Sequence, residues 1–229
     1  MKKRSTPELA RLAPLEQLRA GRLPYRIIQL FVGLTLFGLA MAGFVRAGLG
    51  LAPWDVLHYG VKLHTGLSLG TVVIIFGFIV LLLWIPLKQM PGLGTIANVL
   101  WLGIAADIGL AVIPQAEGLP AQITLFVGAL LVNGLGGGLY IGSQLGPGPR
   151  DGLMTGLHAR TGISLRLART GVEVLVLAIG WLLGGIVGFG TILYAVSIGP
   201  VTQFFLRYCI VGLPQKATVD PVQAEAPRI

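Results

Sequence analysis

The chain has 229 residues, of which 54% are apolar and only 11% are charged. A soluble domain carries about twice that charged fraction, so the composition excludes an ordinary soluble protein. Most of the formal charge of +8 lies in the first 26 residues, which hold seven Lys or Arg and two Glu. A basic tail beside an apolar segment is typical of a membrane orientation signal rather than of a nucleic-acid-binding face.

The basic tail, residues 1–26, has leucines at near-helical spacing: Leu9, Leu12, Leu15 and Leu18. This spacing favours a short amphipathic helix that begins near Pro7 and lies on anionic headgroups. The alternative is a solvated tail interrupted by Pro14 and Pro24.

Six apolar segments of about 20 residues follow, which is the length that a helix needs to cross a bilayer core. They are residues 27–47, 68–88, 94–113, 121–142, 165–185 and 189–208. The alternation of about ten residues that marks a transmembrane barrel is missing from the sequence. The chain is therefore predicted to be an all-α transmembrane bundle of six helices, with the lipid bilayer as its surroundings.

One stretch between these segments occurs twice, 96 residues apart and without a gap. The two copies are Gly48-Leu49-Gly50-Leu51-Ala52-Pro53-Trp54-Asp55 and Gln144-Leu145-Gly146-Pro147-Gly148-Pro149-Arg150-Asp151. The register continues as far as two Gly-x-Gly-Thr segments, at residues 92–95 and 188–191. The chain is thus a duplication, with a first repeat at residues 27–117 and a second at residues 118–208.

Three spans per repeat place the second copy upside down in the membrane, and the charges agree with this topology. With the N-terminus in the cytoplasm, 15 of the 17 Lys and Arg residues fall on cytoplasmic segments. Only Arg46 and Lys62 fall outside, and basic residues favour the cytoplasmic side. The sequence predicts two inverted three-helix repeats, with the tails at residues 1–26 and 209–229 both in the cytoplasm.

Each copy of the repeated stretch predicts a short helix after the first span of its repeat. In the first copy, Pro53 suits the first helical position and Asp55 the first turn, where the helix dipole favours an anion. Gly66 is expected to end the helix and Ser68 to cap the next span. A helix of about 12 residues extends about 18 Å and does not cross a core of about 30 Å. It is either a re-entrant half-helix or a connector at the membrane interface.

Small residues recur at four-residue intervals in the first and fourth spans. They are Gly38, Ala42, Gly43 and Ala47 in the first span, and Gly134, Gly138 and Gly142 in the fourth. Small residues at this spacing let helix backbones approach closely in lipid. We therefore expect the first and fourth spans to pack together.

Few polar side chains interrupt the spans, and such groups normally face a cavity or each other. Asp107 is the strongest single candidate for contact with a solute, a cation or a proton, and the repeat register makes Gln203 its counterpart. The alternative is that Asp107 lies near the outer interface and is hydrated. Arg169 and Glu173, one helical turn apart, form either a structural ion pair or a gating contact. Asn133 is expected to make an interhelical hydrogen bond.

Asp55 and Asp151 begin the two short helices, and two hypotheses fit them. In one, both helices dip towards the midplane from opposite faces and their starts line a shared site, as broken helices do in carriers. The walls of that site would then include Gly50, Pro53, Gly146 and Pro149. In the other, each Asp caps a surface connector, with Trp54 or Arg150 at the headgroups.

Enzyme signatures are nearly missing from the sequence. The stretch Gly66-Leu67-Ser68-Leu69-Gly70 matches G-x-S-x-G, but no strand precedes its serine as the nucleophile elbow requires. The three histidines lack zinc-site spacing, and Cys209 has no second cysteine. We expect no enzyme activity, catalytic residue, cofactor, metal site or nucleic-acid partner.

The repeated Gly-x-x-Pro-x-Asp motif, at residues 50–55 and 146–151, resembles the YczE-like family of bacterial multi-pass membrane proteins, including YyaS, itself similar to the YitT group. The resemblance covers nearly all of residues 27–208. It implies a bacterial cytoplasmic (inner) membrane location and a duplicated architecture, and it transfers no catalytic residues.

Taken together, these features favour a small secondary transporter or facilitator of an unknown small solute or ion, with its path at the repeat interface. The alternative is a non-transporting membrane protein that assembles with, or regulates, another membrane component. A passive channel is the third hypothesis, disfavoured by the scarcity of polar residues in the spans. An oligomer is compatible with the sequence.

Overall fold

The computed structural model describes residue 9 and residues 12–213. These residues form nine α-helices and no strand. The helices are α1 (Pro14–Arg19), α2 (Leu23–Ala47), α3 (Pro53–Thr65), α4 (Leu69–Leu87), α5 (Leu93–Val112), α6 (Leu119–Gly142), α7 (Pro149–Thr161), α8 (Leu165–Leu182) and α9 (Phe189–Cys209). The predicted all-α class is confirmed.

The ends of the chain lie partly outside the described residues. The predicted helix start near Pro7 is among these, as is the C-terminal tail after residue 213. Within the described part of the basic tail, a six-residue helix begins at Pro14. Proline fits the first turn of a helix, so Pro14 begins this helix rather than interrupting it.

Five of the described helices are long and apolar enough to cross a membrane: α2, α4, α5, α6 and α9. Each coincides with a predicted span, so five of the six predicted spans form helices that are long and apolar enough to cross a membrane. The remaining predicted span forms α8, which has 18 residues. Three of them, Arg166, Arg169 and Glu173, are ionisable and set α8 apart.

The helices α2 and α6 form a central antiparallel pair, as predicted for the first and fourth spans. A Cβ added to Gly33 would lie 2.6 Å from the backbone nitrogen of Tyr140, and one added to Gly43 would lie 3.0 Å from the Cβ of Ala129. Residues later in α2 contact residues earlier in α6, so the two helices run in opposite directions. Close backbone approach of this kind depends on small residues.

The glycines predicted for this contact mostly serve other neighbours. A Cβ on Gly38 would lie 2.6 Å from Ala105 of α5, while Gly134, Gly138 and Gly142 all face α9. The reason is that α6 has small residues on two faces, and Gly136 is on the face that meets α2. The predicted packing of the two helices is confirmed, and among the glycines of the fourth span Gly136 contributes most directly to it.

The two short helices, α3 and α7, each have 13 residues and begin at a proline. They end at Gly66 and Gly162, whose φ angles of 68° and 74° lie in the left-handed region that glycine favours. Ser68 then caps α4 by accepting a hydrogen bond of 3.1 Å from the Thr71 backbone N–H. The predicted boundaries of the repeated element are confirmed.

Each short helix packs against a long helix of the other repeat, α3 on α8 and α7 on α4. Within each repeat, the first long helix packs along the last, α2 along α5 and α6 along α9. The two repeats differ in one respect, because α4 also packs along α5 whereas no comparable packing joins α8 to α9.

Arg26, which the sequence assigns to the basic tail, is fully buried at the start of α2. Its guanidinium donates hydrogen bonds of 2.7 and 2.6 Å to the carbonyls of Ser143 and Gln144, just after α6. A cation at this point complements the negative end of the α6 dipole. Arg26 therefore joins the two repeats as well as adding to the basic end of the chain.

Candidate functional site

The loop before each short helix docks on the first turn of the last helix of the other repeat. The backbone N–H of Gly190 donates to the Leu49 carbonyl at 2.8 Å, and that of Gly94 donates to the Leu145 carbonyl at 2.6 Å. The Gly-x-Gly-Thr segments are therefore docking platforms, which explains why they repeat in register with the Gly-x-x-Pro-x-Asp motif.

Gly50 and Gly146 make this docking possible through their conformation and small size. Their φ angles are 127° and 125°, values that other residues rarely adopt. A Cβ on Gly50 would lie 2.7 Å from the backbone nitrogen of Thr191, and one on Gly146 would lie 3.0 Å from Thr95 Oγ1. The two glycines hold the loops in place, and neither lines the cavity described below.

The docked loops bring the starts of α3 and α7 together. Arg150 Nη2 lies 3.4 Å from Asp55 Oδ1, and the Arg150 guanidinium lies 5.1 Å from the centre of the Trp54 ring. Asp55 and Trp54 are only 3% and 7% exposed, so both are buried within the protein. His58 Nδ1 lies 3.6 Å from the same Asp55 oxygen.

Trp84 of α4 fixes the start of α7. Its indole N–H donates to the Pro149 carbonyl at 2.9 Å. Its ring covers Gly152, where a Cβ would lie 1.9 Å from a ring carbon. Only glycine fits beneath this ring, so Trp84 positions Arg150 and Asp151. Sequence reasoning missed this role, although a tryptophan near the end of an aliphatic span was a usable signal.

A cavity of about 440 Å³ opens beside the two helix starts. Its walls come mainly from α6, α7, α8 and α9, with further residues from α2 and α5 and with Pro53 and Trp54 from the start of α3. It lies on the side of the fold where α8 and α9 are not packed together. The predicted site residues on its surface are Pro53, Pro149, Asp151, Arg169, Glu173 and Gln203.

Charged side chains of both signs face this cavity. Arg169 Nε lies 3.0 Å from Glu173 Oε1, which confirms the predicted pair one turn apart. The two side chains are 59% and 32% exposed, so water or a solute can reach them. Asp151 is exposed on the cavity surface and makes no hydrogen bond or ion pair with any described residue.

Asp107 lies elsewhere, on α5, with its carboxylate against the start of α4. It accepts hydrogen bonds of 2.5 Å from Ser68 Oγ and of 2.7 Å from the Gly70 backbone N–H. A carboxylate at a helix N-terminus is stabilised by the dipole and the free N–H groups. Gln203 lines the cavity but Asp107 does not, so the structure does not bring these counterparts to one site. A solute-binding role for Asp107 stays a prediction.

Aromatic and amide groups complete the cavity wall. The Tyr194 hydroxyl donates to Asn133 Oδ1 at 3.3 Å, which confirms the interhelical hydrogen bond predicted for Asn133. Tyr140 and Asn98 also line the cavity. The sequence did not single out the tyrosines, because tyrosine in a span most often serves packing or the membrane interface.

Two further features bear on enzyme and metal sites, the G-x-S-x-G match and the arrangement of possible metal ligands. Ser68 of the G-x-S-x-G match is the α4 cap described above. In the part of the chain that the structure describes, no group of three or more His, Cys, Asp or Glu residues is arranged to hold a metal ion.

Comparison of the sequence with known proteins places this chain in a family. The model of DUF6198, described as a family of unknown function, matches residues 24–207. An uncharacterized protein of Haemophilus influenzae is 37% identical over 184 residues, covering 80% of this chain and 84% of that protein. The uncharacterized membrane protein YczE of Bacillus subtilis is 33% identical over 183 residues, covering 79% and 85%.

A more distant relative and the solved structures complete the comparison. The uncharacterized protein YyaS of Bacillus subtilis is 25% identical over 179 residues, covering 76% of this chain and 89% of that protein. No solved structure matches the chain. The family match spans most of the described residues and confirms the resemblance seen in the repeated motif. The chain is a member of the DUF6198 family of YczE-like membrane proteins.

Proposed function

We propose that this protein is a small secondary transporter or facilitator, whose solute binds in the cavity beside the starts of α3 and α7. The observation that carries this proposal is the cavity itself, about 440 Å³ in volume and lined by Arg150, Asp151, Arg169 and Glu173. Charged residues are rare inside membrane helices because of their desolvation cost, and those that occur mark solute or ion paths.

An inverted repeat supports the proposal. The helices α2 and α6 occupy the same position in the two repeats and run antiparallel, as the contacts of Gly33 and Gly43 indicate. Two copies related in this way have opposite orientations in the membrane. Carriers built from inverted repeats bind their solutes near the midplane, between the repeats and at broken helices.

On this account α8 is the sixth span. Its ionisable residues Arg169 and Glu173 face the cavity and pair with each other, which lowers the cost of placing them in the membrane. The short helices α3 and α7 are re-entrant half-helices, since their starts meet through Arg150 and Asp55. Irregular backbone at membrane depth is tolerated where it is buried in protein or lines a cavity.

The different packing of α8 and α4 suggests how access alternates. In this structure α4 is packed along α5, while α8 is separated from α9 beside the cavity. Movement of α8 with α3 towards α9, and of α4 with α7 away from α5, would exchange the roles of the two repeats. Arg169 and Glu173 lie on the moving wall and serve as gating residues.

The alternative is a non-transporting protein that assembles with another membrane component, and the closely packed contact of α2 with α6 is compatible with it. Such a protein has no need for a charged cavity at the meeting point of its repeats. The cavity therefore favours the carrier over this alternative and over a passive channel.

The test is uptake into liposomes containing the purified full chain, with a panel of labelled amines, amino acids, sugars and inorganic ions. We expect at least one solute to accumulate, and we expect Asp151→Asn to reduce its uptake by at least about tenfold. Glu117→Gln is the matched control, because Glu117 is exposed in the loop after α5 and lies outside the cavity. Failure of every solute to enter, or equal uptake by Asp151→Asn, contradicts the proposal.

A further inference from the structure

The repeat register pairs Trp54 with Arg150 and Asp55 with Asp151. Arg150 crosses to the other repeat and reaches Asp55 at 3.4 Å. The symmetric counterpart of this contact would join residue 54 to Asp151. Residue 54 is a tryptophan. Its ring packs against the Arg150 guanidinium and is uncharged. The divergence of the two copies therefore leaves Asp151 without a close ion pair like that of its counterpart, and the charges of Arg169 and Arg150 act on it only from a greater distance.

The charges around the cavity do not balance. Arg150 pairs with Asp55 and Arg169 pairs with Glu173, at 3.4 and 3.0 Å. Asp151 is the fifth ionisable group, and no other Lys or Arg lines the cavity. Counted together with Asp55, which lies behind Arg150 and does not itself line the cavity, these five groups carry one net negative charge. A carboxylate that faces a cavity within the membrane attracts a counter-charge.

The size and shape of the cavity favour an organic cation over a bare ion. Its volume of about 440 Å³ lies within the range of about 300–1,000 Å³ that is usual for small-molecule sites. The Tyr140 hydroxyl oxygen and Asp151 Oδ2 lie 3.1 and 3.2 Å from the point that a Cβ on Gly148 would occupy. The absence of a side chain at Gly148 leaves a hydroxyl and a carboxylate oxygen side by side at the edge of the cavity.

We propose that Asp151 binds the cationic group of a small organic ammonium solute, in place of the guanidinium that a symmetric pair would have at residue 54. The Asp151 carboxylate accepts hydrogen bonds from the ammonium group, and the Tyr140 hydroxyl oxygen is placed to accept another. Tyr194 provides an aromatic surface for the carbon atoms of the solute. This assignment rests on the proposed function and names the chemical class of its substrate.

The test is equilibrium binding by the purified full chain, with radiolabelled methylammonium and tetramethylammonium as probes. The buffer contains sodium chloride as a competitor. A site that does not prefer organic cations would then bind sodium instead of the probes. We expect saturable binding of at least one probe, and we expect Asp151→Asn to weaken it by at least about tenfold through loss of a charge-assisted contact. Glu117→Gln, which removes a carboxylate from the exposed loop after α5, is the control and should bind like the parent.

A second variant tests the symmetry argument directly. Trp54→Arg supplies the guanidinium that the second pair lacks. This guanidinium should pair with the Asp151 carboxylate and abolish probe binding. Size-exclusion chromatography shows whether this variant folds, and if it does not, the comparison of Asp151→Asn with Glu117→Gln decides. No saturable binding of either probe by the parent, or equal binding by Asp151→Asn, overturns the proposal.

The ammonium site and transport can fail separately. Binding of a probe without uptake of any solute into liposomes contradicts transport and leaves the ammonium site standing. Uptake of a neutral or anionic solute, without binding of either probe, supports transport and overturns the ammonium site.

Discussion

The start of α3 places Trp54 and Asp55 where the start of α7 places Arg150 and Asp151. The backbones are alike, since each begins at a proline after a docked glycine loop and runs for 13 residues. The side chains differ in one residue of three, and that difference decides the chemistry. One aspartate is buried and paired, while the other is open to a cavity. The two copies share a backbone. A single difference between them, Trp54 in one and Arg150 in the other, distinguishes the structural carboxylate of Asp55 from the candidate ligand Asp151.

The contact of each short helix with its long neighbour shows the same contrast in packing. Trp84 of α4 covers Gly152 of α7, and the equivalent residues in the other copy are Gly180 of α8 and Val56 of α3. A Cβ on Gly180 would lie 2.6 Å from the Val56 carbonyl carbon. The large residue is on the long helix in one copy and on the short helix in the other. The contact of α7 with α4 thus depends on Gly152 of the short helix, and the contact of α3 with α8 depends on Gly180 of the long helix.

The largest effect is expected from breaking the charge pair that joins the two helix starts. Arg150→Met leaves the buried Asp55 carboxylate without its guanidinium and should destabilise the protein by about 3 kcal/mol. Thermal unfolding in detergent measures this change. The double variant with Asp55→Asn removes both charges and should recover most of the loss. An Arg150→Met variant as stable as the parent would show that the pair adds nothing.

The next effect concerns the glycine beneath Trp84. Gly152→Ala places a methyl group inside the indole ring and should cost about 1–3 kcal/mol through overpacking. Gly171→Ala is the matched control, because a Cβ there meets nothing within 4 Å. Trp84→Leu in the Gly152→Ala background should restore part of the stability. Equal thermal unfolding of the two glycine variants would contradict the packing argument.

A smaller effect separates the two docking platforms. Thr95 Oγ1 donates to the Pro147 carbonyl at 2.7 Å and accepts from the Gly92 backbone N–H at 3.1 Å. Thr191 Oγ1 accepts from the Gly188 N–H at 3.3 Å, with no matching bond to the docked loop among the described residues. Thr95→Val should therefore cost about 1 kcal/mol, and Thr191→Val less. The reverse order in thermal unfolding would count against unequal docking.

The smallest effect on stability is expected at Arg169. Its pair with Glu173 is open to the cavity, and exposed pairs of this kind contribute less than about 1 kcal/mol. Arg169→Gln should unfold within a few degrees of the parent in detergent. A loss as large as that of Arg150→Met would mean that Arg169 holds the fold together rather than gating the cavity.

Much of this organisation could be predicted from the sequence because it depends on local rules. Proline at a helix start, glycine at a helix end and a serine cap placed both boundaries of α3 without any long-range information. The 96-residue register correctly paired the Gly-x-Gly-Thr segments with the repeated motif, although not their function as docking platforms.

The rest depends on contacts that only the folded chain defines. Asp107 is predicted to contact a solute because an ionisable group in an apolar segment is rare, and the fold adds that its carboxylate accepts hydrogen bonds at the start of α4. Nothing in the sequence distinguishes a cap supplied by a distant helix from a ligand. Arg150 was expected at a surface in one hypothesis, and its contact with Asp55 spans 95 residues of sequence. Pairings of that range follow from topology rather than from a pattern.

The central claim is that the starts of the two short helices meet inside the protein, and chemical crosslinking tests it most directly. Cysteines replace Asp55 and Arg150 together in a Cys209→Ser background, which removes both charges of the pair at once. A protease site in the loop at residues 113–118 then separates the repeats. The account predicts that a short bifunctional thiol reagent holds the cleaved halves together on a denaturing gel. It also predicts that a control pair at Asp55 and Arg160, at the far end of α7, does not. If the first pair crosslinks no better than the control, the helices lie apart on opposite faces and the shared site does not exist.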